Sequence, residues 1–129
     1  MVEFAAKAVR VIVDPGNCGF LCSIVAMRRA GKSVEISMQS ECSQVQRLAS
    51  LVGVVALNEL FLPAARNQVL SFAATAGCHT SCLVPLGLIK AAEVSLGMAL
   101  PQDATLRFVS GLENESQKEN ESQENAKEK

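Results

Sequence analysis

The stretch SVEISMQSECSQVQRLASLVG, residues 33–53, changes its hydrophobic period in the middle. From Ser33 to Gln39, Val34, Ile36 and Met38 alternate with Ser33, Glu35, Ser37 and Gln39. A period of two puts one set on a buried face and the other in water, which predicts a strand in a half-covered sheet. Beyond Ser40-Glu41-Cys42-Ser43, apolar residues fall at Val45, Leu48, Ala49 and Val52, the spacing of a helix face, and Gly53 supplies a stop. Ser40 or Ser43 is the expected cap of that helix. A one-sided strand that hands over to a one-sided helix points to a sheet with helices laid on it.

Upstream, Arg28-Arg29-Ala30-Gly31-Lys32 predicts a hairpin turn back to an apolar run from Phe20 to Met27. Ala8 to Val13 is dense in β-branched residues and ends at Asp14-Pro15-Gly16-Asn17, a strand followed by a strong turn signal. Downstream, Val54 to Leu62 is ambiguous. Pro63 fits the first turn of a helix running through Leu70 and Phe72 to about Thr75, ended by Gly77. A further helix is expected from Val84 to Leu96, with Pro85 tolerated near its start and Gly97 closing it. Thr105 to Val109 reads as a short last strand. Strands come first and helices follow, so the expected class is α+β: a small antiparallel sheet of about three to four strands with helices packed on one face.

The chain of 129 residues suits one domain, and at 49% hydrophobic it has material for a core built from aliphatic residues and alanine. Its formal charge of −1 is unevenly spread, because the stretch from Glu113 to Lys129 holds six glutamates and three lysines. There Glu113-Asn-Glu-Ser-Gln117 repeats as Glu119-Asn-Glu-Ser-Gln123, with almost nothing apolar to offset the entropy of ordering. The expected organisation is a single globular domain over 1–112 and a disordered acidic tail over 113–129. No basic stripe with aromatic platforms marks a nucleic-acid surface. No run approaches the roughly 20 apolar residues of a membrane span, and the amino terminus lacks the pattern of a secretory signal. A cytoplasmic protein without nucleic-acid or membrane partners is the expectation.

Five cysteines and a single histidine carry the chemistry. Four of the cysteines form two Cys-x-x-x-Cys pairs, Cys18 with Cys22 and Cys78 with Cys82, and the fifth is Cys42. An odd count in a reducing compartment argues for buried, metal-bound or catalytic thiols over a disulfide framework. Thiolate and imidazole are soft ligands suited to zinc and iron–sulfur chemistry, so Cys18, Cys42, Cys78, His79 and Cys82 are the candidate metal ligands. Cys42 opens a helix, where unpaired amides and the helix dipole favour an anion. Cys22 lies inside an apolar run and reads as a core residue, since free cysteine is among the most buried residue types.

The Pro15-Gly-Asn-Cys18-Gly19 turn, the two strands after it and Cys42 at a helix start together resemble the iron–sulfur cluster scaffold family of the IscU/NifU amino-terminal type. So does Cys78-His79-Thr80-Ser81-Cys82 followed by Leu88-Ile89-Lys90-Ala91-Ala92. The resemblance covers roughly Val9 to Leu96, with Phe20 standing where that family has an aspartate. It implies a cluster held by Cys18, Cys42 and one or both of Cys78 and Cys82, with His79 as a ligand or proton carrier. It also implies a protein partner that supplies or accepts the cluster, with a homo-oligomer as a further expectation. Zinc is the alternative cofactor, because it accepts the same donor set.

Two other functions stay open at this point. One is a cysteine-dependent redox or sulfur-transfer protein with Cys42 as nucleophile and Cys78 or Cys82 as resolving thiol. The other is a small structural or regulatory module whose cysteines belong to the core. Hydrolysis and phosphoryl transfer are poorly supported, since the chain has no Gly-x-Ser-x-Gly elbow, phosphate-binding Gly-rich Lys motif or His-Glu-x-x-His.

Overall fold

The structure is a computed structural model that describes residues 8–111. The amino-terminal residues and the expected acidic tail lie outside the described residues. Strands β1 (Val9–Val13), β2 (Cys22–Arg29) and β3 (Ser33–Ser40) lead into helix α1 (Ser43–Val52) and a short β4 (Val54–Ala56). Two 3-10 turns, Leu57–Phe61 and Ala64–Arg66, precede α2 (Gln68–Ala76) and α3 (Val84–Ser95). The sheet is antiparallel throughout, in the order β1-β2-β3-β4. This is the α+β class that the period switch at residues 33–53 predicts, and α1 and α3 cover the same face of the sheet.

Alternation along the strands decides which face that is. Cys22, Ile24 and Ala26 of β2 and Val34 and Ile36 of β3 point into the core with Val13 of β1. Val45, Leu48 and Val52 of α1 and Val84, Leu88, Ala91 and Ala92 of α3 close over them. Arg10, Ile12, Met27, Glu35, Ser37 and Gln39 occupy the opposite, exposed face. An antiparallel sheet tolerates water on one side in this way. Leu48 and Leu88 are both fully buried, and truncating either to alanine costs about 2–5 kcal/mol at such sites.

Helix α3 comes unusually close to the sheet because it carries a glycine where it crosses β1. A Cβ placed on Gly87 meets Val13 Cγ2 at 2.5 Å, well inside contact distance. That close seat holds the amino-terminal half of α3 against the end of β1 where the chain turns towards β2.

Several local expectations are corrected. Neither Ser40 nor Ser43 caps α1: Cys42 itself is the N-cap residue, at φ −75° and ψ 124°, with no side-chain capping bond. Ser40 acts one step earlier, its Oγ accepting the Cys42 N–H at 3.2 Å. Pro63 precedes a 3-10 turn and does not open a helix; α2 begins five residues later, capped by Asn67, whose side chain accepts the Leu70 N–H. Its other end follows expectation, with Gly77 left-handed at φ 82°. Thr105 to Val109 forms no strand, and residues 99–111 carry neither helix nor strand. Alternation makes extended backbone favourable, but a strand also needs a neighbour to hydrogen-bond, and none of β1 to β4 supplies it here. Among the described residues no helix is long and apolar enough to cross a membrane.

Candidate functional site

Three segments bring cysteines to one end of the sheet. Cys22 starts β2, pairing across to Ser40 at the end of β3 and to Val13 at the end of β1. Two residues past Ser40, Cys42 starts α1. Cys78 and Cys82 lie in the loop that joins the end of α2 to α3, whose amino-terminal half is seated on Val13 through Gly87. The loop is held by backbone bonds: Cys78 N–H reaches Ala73 O at 3.0 Å and Cys82 N–H reaches His79 O at 3.0 Å. The strand ends and the two helix starts therefore share one neighbourhood.

Their electrostatics show the proximity. Burial first, then the charges that Cys82 and Cys42 carry as thiolates, push the Cys22 thiol up to about 11. The same causes in the same order, burial and then Cys82 and Cys42, raise Cys78, while the Arg47 guanidinium draws it back down. Arg47 is anchored across the gap between helices, its Nε donating to Ala76 O at 3.1 Å. Cys42 Sγ lies 3.2 Å from Gln44 Oε1, a thiol-to-amide hydrogen bond. All five cysteines are free; Cys22 is buried, Cys42, Cys78 and Cys82 are partly buried and Cys18 is exposed.

The structure thus gathers Cys42, Cys78 and Cys82 of the five residues singled out as ligands, and sets Cys18 and His79 on the surface. Cys18 is not among the thiols that act on Cys22 or Cys78. Between the residues after it and those before Cys42 runs an open groove of about 520 Å³, lined by Gly19, Phe20, Leu21, Gln39, Ser40 and Glu41. Cys22 is core, as expected, yet it also faces the thiol cluster, a role its apolar setting conceals. The hairpin contains the clue: Cys22 and Ser40 are equally far from Gly31, so the turn alone places Cys22 opposite the approach to Cys42. Gln44 and Arg47, a turn apart on α1, are the other members that spacing of cysteines does not reveal.

Soft-metal chemistry suits four free thiols from three segments. Among the described residues no group of three or more His, Cys, Asp or Glu stands poised to hold a metal ion.

Fold and site together define an α+β protein with a thiol cluster where its strands meet the starts of two helices. The chain belongs to a family described as "Family of unknown function (DUF6951)", whose model matches residues 9–108. That span takes in all four strands, all three helices and all five cysteines. Comparison with curated proteins and with solved structures gives no match.

Proposed function

We propose that this protein binds an iron–sulfur cluster or a soft metal ion through thiolates at the end of its sheet. Cys42, Cys78 and Cys82 are the ligands common to either occupant, and Cys22 is the fourth thiol within reach. The observation that carries this reading is the convergence of Cys42 and Cys82 on two other thiols: after burial itself, the charge of each raises the cost of ionising both Cys22 and Cys78. Clustered thiolates repel one another, and a bound cation converts that repulsion into attraction. The backbone order supports the scaffold form of the reading. A Cys18-Gly19 turn, two strands, Cys42 at a helix start and a Cys/His loop ahead of α3 follow the sequence of features that the IscU/NifU resemblance implies. In that form a partner protein supplies or accepts the cluster. Departing from that resemblance, we leave exposed Cys18 outside the ligand set.

Cys22 and Cys78 are poorly served as thiolate nucleophiles by this neighbourhood. Burial and neighbouring thiols hold Cys78 up despite Arg47, and hold Cys22 up to about 11. A reactive cysteine needs the opposite, an electropositive and accessible setting.

The test is anaerobic purification of the full chain with iron, sulfide and zinc measured per chain beside a visible absorption spectrum. Iron with matching sulfide and a cysteine-dependent chromophore is the expected result for a cluster, and stoichiometric zinc for a mononuclear site. Protein that takes up no metal even after reconstitution, and carries one hyper-reactive cysteine, overturns the reading in favour of thiol chemistry.

A further inference from the structure

The segment that ends the described chain is apolar and lies exposed among the described residues. Leu106 is 67% exposed, Phe108 96% and Val109 64%, in a stretch without helix or strand that lies within the span matched by the family model, save its last residue. Thr105-Leu106-Arg107-Phe108-Val109 nevertheless has strand-forming residues in alternation. Strand β1 is the terminal strand of the sheet, and its outer edge has no strand beside it among the described residues. An edge of this kind presents a row of backbone donors and acceptors ready to pair with an added strand.

Charge decides how the two fit. Asp103 and Arg107 are four residues apart, as are Arg10 and Asp14, in the opposite sign order. Laid parallel to β1, the segment sets Asp103 beside Arg10 and Arg107 beside Asp14 at the same time. Laid antiparallel over the same overlap, it sets aspartate against aspartate and arginine against arginine. The parallel register also sorts the side chains. Val11 is half-buried and Val13 buried on the helix-covered face, while Arg10 and Ile12 are exposed. Ala104, Leu106 and Phe108 then join the helix-covered side, and Asp103, Thr105 and Arg107 the wet side. Arg10 Nε donates inward to Ser23 Oγ of β2 at 3.1 Å, and Oδ1 of Asp14, the first residue after β1, accepts the Gly16 N–H at 3.1 Å, which leaves the terminal guanidinium nitrogens of Arg10 and the second carboxylate oxygen of Asp14 for Asp103 and Arg107.

We propose that residues 103–109 add as a parallel fifth strand to the β1 edge of a second copy of this chain, which returns its own segment in exchange. The chain's own segment forms no strand on its own edge, whereas two copies related by a two-fold axis bury both segments and both edges in one self-complementary interface. The proposal is independent of the thiol site.

The experiment measures the mass of the full chain by sedimentation across a concentration series, with amide hydrogen exchange on the same samples. A dimer with slowed exchange at 103–109 and at Val9–Val13 is expected. Asp103→Arg alone and Arg10→Asp alone each weaken it by roughly tenfold, because every charge pair occurs twice in the dimer, and the double swap restores it. Leu106→Asp with Phe108→Asp gives a monomer whose melting temperature is that of the diluted parent, since both side chains are exposed in the single chain. A monomer at every concentration overturns the proposal: with fast exchange at 103–109 the edge is simply empty, and with slow exchange the chain's own segment fills it. A dimer indifferent to both sets of variants overturns it as well.

Discussion

The two Cys-x-x-x-Cys pairs have the same spacing and opposite outcomes. In the first, Cys18 sits on an exposed turn while Cys22, four residues on, is the fully buried first residue of a strand. In the second, Cys78 and Cys82 share one loop, are both partly buried, and lie close enough for one thiolate to raise the other. A spacing of four has no fixed meaning until the backbone between the residues is known. Between Cys18 and Cys22 the chain leaves a turn and enters the sheet, which separates the pair. Between Cys78 and Cys82 it folds back through a backbone bond from Cys82 N–H to His79 O, which keeps them together.

The strongest way to break this comparison is to remove one thiol from each pair and weigh the metal. Cys82→Ser is expected to weaken binding by at least about 10–100-fold, the loss typical of disturbing even the outer partners of a metal site. Cys18→Ser is expected to leave metal content and spectrum unchanged. Equal losses from the two would return Cys18 to the ligand set and dissolve the contrast, and Cys22→Ser read in the same assay shows which residue of the first pair takes part.

The next effect is a pH dependence carried by Cys22, the buried member of its pair. In the unfolded chain this thiol ionises near its ordinary value of about 9, and in the fold it is held to about 11. The unfolded state therefore loses its proton first. Stability is fully present below about pH 9 and falls as pH rises towards about 11, by about 2–3 kcal/mol in all. Denaturant titrations of metal-free protein at several pH values measure the slope. Cys22→Ala is expected to reduce the slope.

A smaller effect sharpens how the two pairs are brought together. Gly87→Ala gains up to about 1 kcal/mol of helix propensity. It also drives a methyl group into Val13 at the junction between α3 and the strand that pairs with Cys22. Overpacking of about 1–3 kcal/mol outweighs the gain, so the melting temperature is expected to fall. The exposed Gly31→Ala change meets no neighbour and tests only the left-handed backbone at φ 81°. Metal affinity should fall with the first substitution and not with the second, because only the first moves the loop carrying Cys82 away from Cys22.

Much of the fold was legible one segment at a time. Residues 33–53 change period at the point where the strand ends, and Gly31, Gly53 and Gly77 stand where the backbone turns left-handed. These are local matters of sterics and one-sided burial, which few residues can settle among themselves. Val54 to Leu62 was not legible, since three strand residues followed by a 3-10 turn are too short for any period to declare itself. Thr105 to Val109 misled for a related reason: its pattern states a preference for extended backbone and says nothing about whether a partner stands beside it.

The sequence by itself determined the class of the protein, the one-sided sheet, the helix limits near glycine, and the stock of soft ligands. Which thiols meet was decided only in the tertiary structure. Cys22 reads as core from its apolar neighbours, and its approach to Cys42 and Cys82 depends on hairpin register and on α3 seating its Gly87 against Val13. Those contacts join residues up to 74 positions apart, and a local pattern carries no record of distances that only packing sets.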